Sequence, residues 1–211
     1  MWIWPEKNNF EGNRVRIGIL NPKLHYEDLY EMAISSNDED NSIFRYMAFG
    51  PFINKNEMSL WLEKQSTMGD RNVYSIYSKR LKKYVGMYSI INIDEKNGRV
   101  ELGSIWYGKE AQRTEINTET TYLMLKYLFE DLKYRRIEWK CDNKNNASKN
   151  AATRLGFVYE GLFRKHMIVK DKNRDTSWYS IIDDEWDEVK KTYINNIFKK
   201  YGNRLNIKEN L

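Results

Sequence analysis

The sequence predicts an α/β fold: a mixed, mostly antiparallel central sheet around a parallel β-α-β core, with helices on both faces. Three observations lead there. Tyr84–Ile93 and Arg99–Trp106 are apolar runs joined at Asn97-Gly98, where glycine accepts the positive φ of a tight hairpin turn. Phe157–Val169 and Asp175–Ile182 form a second such pair around a turn at Lys170–Asn173. Between the hairpins, the helical pattern Asn117–Leu132 links two strands, which implies a local parallel pair and a right-handed crossover. A mixed sheet of this kind buries both faces under helices.

In chain order, residues 1–13 read as a polar lead-in after an apolar start. Arg14–Leu20 alternates Val15, Ile17 and Ile19 with Arg14, Arg16 and Gly18, the period of a half-buried strand, and Asn21-Pro22 breaks it. Tyr26–Ser36 is a helix with Leu29, Met32 and Ala33 on one face, followed by an acidic loop over Ser35–Ser42. Glu57–Met68 is a second helix, and a strand follows from Asn72. Arg99–Trp106 places Val100, Leu102, Ser104 and Trp106 on one face and Glu101, Gly103 and Ile105 on the other. Gly108–Glu115 is an irregular connection. The helix Asn117–Leu132 carries Leu125, Leu128, Phe129 and Leu132 at helical spacing, with Glu119 in the first turn where the dipole favours it. Arg136–Asp142 points Ile137, Trp139 and Cys141 one way and Arg136, Glu138 and Lys140 the other. Asn145 or Asn146 then caps a short helix that leaves through Gly156 at its C′ position. Glu185–Tyr201 ends the pattern as an amphipathic helix carrying Trp186, Val189, Tyr193 and Ile197. One domain is expected over 1–211, with its core at about 14–190, an N-terminal extension over 1–13 and a C-terminal helix and tail over 185–211.

Composition excludes several classes. Hydrophobic residues make up 41% of 211, too much for a disordered chain. The net charge of +5 arises from 35 basic and 30 acidic residues interleaved along the chain, which argues against a nucleic-acid stripe. One cysteine, Cys141, permits no internal disulfide, and no apolar run approaches the roughly 20 residues of a membrane span. A cytoplasmic protein without nucleic-acid or membrane partners is the expectation.

The order of elements resembles that of the GNAT acetyltransferases. The residues that carry the resemblance are NTETTYLMLKYLFEDLKYRRIEWKCD from Asn117 to Asp142, N-x-x-S at Asn145–Ser148, RLGF at Arg154–Phe157, Glu160-Gly161, Arg164, and RDTSWYSI at Arg174–Ile181. They look like the ribosomal-protein N-acetyltransferase (RimJ/RimL-type) branch. The resemblance implies transfer of acetyl from acetyl-CoA to a primary amine of a protein N-terminus or small molecule, by direct attack in a ternary complex and without a metal. It places the pyrophosphate over the start of the central helix, in the loop Gln112–Thr118. There Gln112, Arg113, Thr114 and Thr118 offer charge or hydroxyls, and the amides of Ile116 and Asn117 offer the core of a cradle. It implies that Ile105, Trp106 and Tyr107 pair with the pantetheine arm, that Asn145 bonds a pantetheine amide, and that Ser148 reaches the sulfur and protonates the leaving thiolate.

Glu101, a carboxylate on a central strand, is the first candidate for the base that neutralises the amine; its alternative role is a salt bridge with Arg99, Arg136 or Lys140. Glu138, Asp142, His25 and His166 follow it. The family loop carries small residues where this chain has Glu115 and Asn117. Glu115 therefore either turns its side chain away or weakens binding, and a CoA-binding or scaffold protein with weak or no catalysis is the alternative. The loop over about Ser35–Met58 and the final hairpin would choose the acceptor, and a homodimer would use that hairpin and the terminal helix.

Overall fold

The computed structural model describes residues 1–35 and 43–194. In chain order the elements are β1 (Asn9–Glu11), β2 (Val15–Ile19), α1 (Pro22–Ile34), α2 (Lys55–Ser66), β3 (Asn72–Ser78), β4 (Lys83–Asp94), β5 (Arg99–Tyr107), α3 (Ile116–Lys126), β6 (Arg136–Asp142), α4 (Asn146–Arg154), β7 (Val158–Val169), β8 (Lys172–Ile182) and α5 (Trp186–Thr192). One eight-stranded sheet has the order β1-β2-β3-β4-β5-β6-β8-β7. Among the described strands only β5 and β6 run parallel, as the crossover through α3 predicts.

Two layers of helices cover the sheet. On one face His25 of α1 meets Ser75 of β3, and Met32 of α1 lies over Gly108. On the other, Thr121 of α3 bonds the Tyr88 hydroxyl of β4 at 3.0 Å, and Trp186 of α5 stacks on Phe129. No helix among the described residues is long and apolar enough to cross a membrane.

Local chemistry explains the boundaries. Asn21 does not merely break β2: its side chain accepts from the Leu24 amide, and Pro22 occupies the first turn of α1, where no N–H is needed. α1 therefore begins four residues before the expected Tyr26. α4 ends as Gly156 implies. Its φ is +93°, Phe157 N–H reaches Ala152 C=O at 3.0 Å, and Gly156 N–H reaches Thr153 C=O at 3.1 Å, the paired bonds of a Schellman cap.

Four expectations are corrected. Residues 9–11 are a strand paired to β2, with Phe10 buried, so the N-terminal segment belongs to the sheet. The helix Asn117–Leu132 is α-helical only to Lys126 and then widens into a π-turn over Tyr127–Asp131. The β7–β8 turn is only Lys170-Asp171, both at positive φ (49° and 59°), so β8 starts at Lys172. Finally, β5 carries a bulge. Ser89 pairs with Gly103 but Met87 with Trp106, and Ser104 takes φ +51°. The extra residue reverses the alternation, so Trp106 shares the face of Glu101 and Gly103 and not that of Val100 and Leu102. The terminal helix is described to residue 194, and Ile197 and Tyr201 lie outside the described residues, as does most of the acidic loop after Ser35.

Candidate functional site

β5 and β6 pair over only three rungs, Arg99–Arg136, Val100–Ile137 and Glu101–Glu138. Beyond Glu101, the stretch Leu102–Tyr107 has no β6 partner, and β6 turns to β8 alone. The bulge at Ser104 falls within this stretch. Gly86 permits it: a Cβ there would lie 2.1 Å from the Trp106 carbonyl oxygen. The two strands thus open into a cleft whose β5 wall presents a strand edge able to pair with an extended ligand.

The start of α3 follows the free end of β5 by eight residues, and Thr118 in its first turn meets Arg154 of α4. The cap positions of α1, α2 and α4 are all asparagines whose side chains accept from the first turn. The cap residue of α3, Glu115, makes no such bond. The amide of Ile116 has only a long contact, 3.4 Å, to the Thr114 hydroxyl. Amides of this kind, at the positive end of the helix dipole, suit an anion. Other expected donors are engaged locally. Thr114 donates to Ala111 C=O at 2.6 Å, the Gln112 amide donates to Tyr107 C=O at 2.9 Å, and the buried Thr118 hydroxyl accepts from Arg154 at 2.7 Å. Arg113 remains exposed.

The structure bears on Glu115 in two ways. Glu115 has φ −69°, an ordinary helical value, so its backbone has no need of glycine; the left-handed residue in the loop is Arg113, at φ +57°. Its carboxylate lies 3.7 Å from the guanidinium of Arg14, the residue just before β2. At Glu115 the chain thus lacks glycine's small size but has no use for its freedom of φ.

On the far wall, Asn145 caps α4 by accepting from the Ser148 amide at 3.0 Å, which leaves its side-chain NH2 as a donor. Ser148 is half-buried, and its Oγ accepts from the Trp139 indole at 2.9 Å. Cys141 stands on the same face of β6. Burial pushes its thiol pKa up, and the Ser148 hydroxyl acts against that rise.

Glu101 occupies the last paired rung, on the opposite face of the sheet from Ser148. It is buried, and its Oε2 accepts from Asn92 at 2.6 Å and from Lys140 at 2.9 Å. Of the salt bridges expected as its alternative role, the one to Lys140 is present. Lys140 also holds Glu138 at 2.8 Å and lies 4.0 Å over the Trp178 ring. Burial acts to raise the Glu138 pKa, but hydrogen bonds from Lys140 and Arg136 outweigh it and hold the carboxyl below its usual value. Of these two partners, Lys140 was among those expected and Asn92 was not. The strand alternation that set Glu101, Glu138 and Lys140 on one face was the signal for Lys140; Asn92 comes from the bulge in β4.

The two histidines make hydrogen bonds within the fold. His25 Nδ1 accepts from the Asn21 amide at 3.2 Å, meets Ser75 Oγ at 2.9 Å, and the ring stacks on Tyr84 at 3.9 Å. His166 meets Thr176 Oγ1 at 3.0 Å on the exposed hairpin.

Residues 16–158 match the family model of the acetyltransferase (GNAT) domain, more than half of the chain. The chain belongs to the GNAT family. Among solved structures, the GNAT fold here superposes on a GCN5-related N-acetyltransferase from Brucella melitensis with a TM-score of 0.86 and 38% identity, covering 90% of this chain and 85% of that one. A curated protein of Bacillus subtilis (strain 168), provisionally named as the ribosomal N-acetyltransferase YdaF, is 31% identical over 105 residues, covering 50% of this chain and 57% of its own length. An uncharacterized N-acetyltransferase of Bacillus licheniformis, p20, is 27% identical over 150 residues, covering 70% of this chain and 84% of its own.

Proposed function

We propose that this GNAT chain transfers acetyl from acetyl-CoA to a primary amine, and that the amine belongs to a protein N-terminus. The observation that carries the reading is the cleft where β5 leaves β6 after the Glu101–Glu138 rung. The amides of Ile116 and Asn117, assisted by Arg113, would hold the pyrophosphate. The edge Ile105–Tyr107 would pair with the pantetheine arm, and the free NH2 of Asn145 would bond its amide carbonyl. Acetyl-CoA supplies the activated acyl group. Glu101, reaching the cleft from one face, would take the amine's proton, and Ser148, from the other, would donate a hydrogen bond to the departing sulfur. The name of the B. subtilis relative favours a ribosomal protein as the acceptor.

The test is a thiol-release assay with acetyl-CoA against peptides that carry ribosomal-protein N-termini, polyamines and aminoglycosides. Turnover with the peptides alone is the expected result. Acetyl-CoA binding that stays undetectable by calorimetry at millimolar ligand would sink the reading. Glu115 favours one second reading, a GNAT-fold CoA-binding protein with little catalysis. That reading expects Glu115→Gly to gain CoA affinity in a chain that turns over no amine.

A further inference from the structure

We infer that Trp139 is a positioning residue that fixes the Ser148 hydroxyl as a hydrogen-bond donor toward the sulfur in the cleft; the inference rests on the acetyl-transfer reading. Trp139 is the first residue of β6 beyond the last rung shared with β5, so its side chain stands where the cleft opens. It is buried, packed 5.5 Å from the Phe157 ring, and its Nε1 lies 2.9 Å from Ser148 Oγ.

The chemistry of the pair is one-directional. An indole nitrogen only donates, so in this contact Ser148 must accept. One lone pair of Oγ is then occupied and the hydroxyl proton must point elsewhere. A serine in the first turn of a helix otherwise has the choice of turning back to its own backbone. Trp139 narrows that freedom by occupying one lone pair, and a hydroxyl that already accepts a hydrogen bond is a better donor.

In the transfer, the amine nitrogen forms a bond to the acetyl carbon and the C–S bond breaks. The electron pair stays on sulfur, Glu101 takes the amine's proton, and solvent later protonates the thiolate. Ser148 need not lose its proton; it must only be aimed at the sulfur when the charge develops.

The experiment uses the full chain with Trp139→Phe and Trp139→Tyr, which keep an aromatic ring beside Phe157 and lack the indole N–H, together with Ser148→Ala and the corresponding double variants. Thermal melts confirm folding. Trp139→Phe should lower kcat about tenfold or more while KM for acetyl-CoA stays within about twofold. The double variant should be no slower than Ser148→Ala alone. A second readout is binding. The affinity of the native protein for CoA, measured by calorimetry, should rise between pH 7 and 9 as the thiol ionises, and this rise should flatten in Trp139→Phe and Ser148→Ala. Desulfo-CoA should show no such rise in any of them. A native kcat and CoA pH profile in Trp139→Phe would overturn the inference alone, as would further slowing in the Ser148→Ala background. A native chain that does not bind acetyl-CoA would overturn the acetyl-transfer reading, and the inference with it.

Discussion

His25 shows at the scale of one residue how a reactive group becomes a structural one. Its Nδ1 is occupied by the Asn21 amide and Ser75, and its ring lies flat on Tyr84. Burial lowers its pKa to about 4, with Asp28 opposing. A base whose folded pKa lies below its unfolded value of about 6.5 stays neutral in the fold while the unfolded chain takes up a proton. Stability is therefore fully present above pH 6.5 and lost as pH falls toward 4, by up to about 3 kcal/mol. Denaturant unfolding of the native protein should show this acid loss, and His25→Gln should show a shallower one; equal slopes would refute the assignment. Glu115 supplies the second prediction at this scale. Arg14 holds its carboxylate, so Arg14→Gln should weaken CoA binding and Glu115→Gln should strengthen it, each by several-fold, as read by calorimetry. The type and spacing of Glu115 were legible in the sequence. Its harmlessness to the backbone was not, because nothing local reveals that the left-handed φ falls on Arg113.

The bulge in β5 decides the site at the scale of the element. The alternation of Arg99–Trp106 was correct to Gly103 and failed after it, because one inserted residue reverses every later side chain. A central strand covered on both faces is apolar on both, so composition conceals the slip. The two glycines of β4 and β7 separate the effect of shape from that of composition. An added Cβ at Gly86 would meet backbone atoms, the Trp106 oxygen at 2.1 Å and Tyr107 Cα at 2.9 Å, which no rotamer can relieve. Gly161 has nothing within 4 Å of the same position. Gly86→Ala should cost about 2–4 kcal/mol in unfolding free energy and abolish CoA binding in whatever remains folded, whereas Gly161→Ala should be close to neutral. Comparable melting curves for the two variants would show that β5 accommodates the change and that the bulge is not held by Gly86. The turn at Lys170-Asp171 was hidden for a related reason. Two positive-φ residues without glycine give no sequence signal, yet they shortened the turn and extended β8.

The whole molecule was most legible where connections are short. The β4–β5 hairpin and the crossover through α3 follow from turn residues and helical period, and together they place β5 beside β6. What the pattern lacked was the role of the N-terminal segment, where Phe10 stands among polar residues after an apolar start and carries no period. In the fold that segment ties distant parts together. Trp2 donates its indole N–H to Lys133 C=O and its amide to Glu95 C=O, the hydroxyls of Tyr134 and Tyr74 bond the carbonyls of Ile3 and Lys7, and Phe10 lies edge-on to Tyr74 and Tyr127. Just beyond it, the amides of Asn13, Arg14 and Val15 converge on the buried carboxylate of Glu119 at 2.7–3.0 Å, which anchors the first turn of α3. The helix whose N-terminus is proposed to hold the pyrophosphate is thus fixed from the N-terminal end of the chain. Removing residues 1–11 deletes β1 and Phe10 and frees one side of the turn that grips Glu119. Loss of a buried phenylalanine alone costs about 3–5 kcal/mol, which for a chain of this size corresponds to a fall in Tm of about 10 °C. The truncated chain should melt at least that much lower and bind CoA more weakly, because a loosened α3 no longer aims its amides. A Tm within 3 °C of the native value would show that the segment lies on the fold without supporting it, and retained CoA affinity in a destabilised chain would show that α3 is oriented by α4, through Arg154 and Thr118, instead.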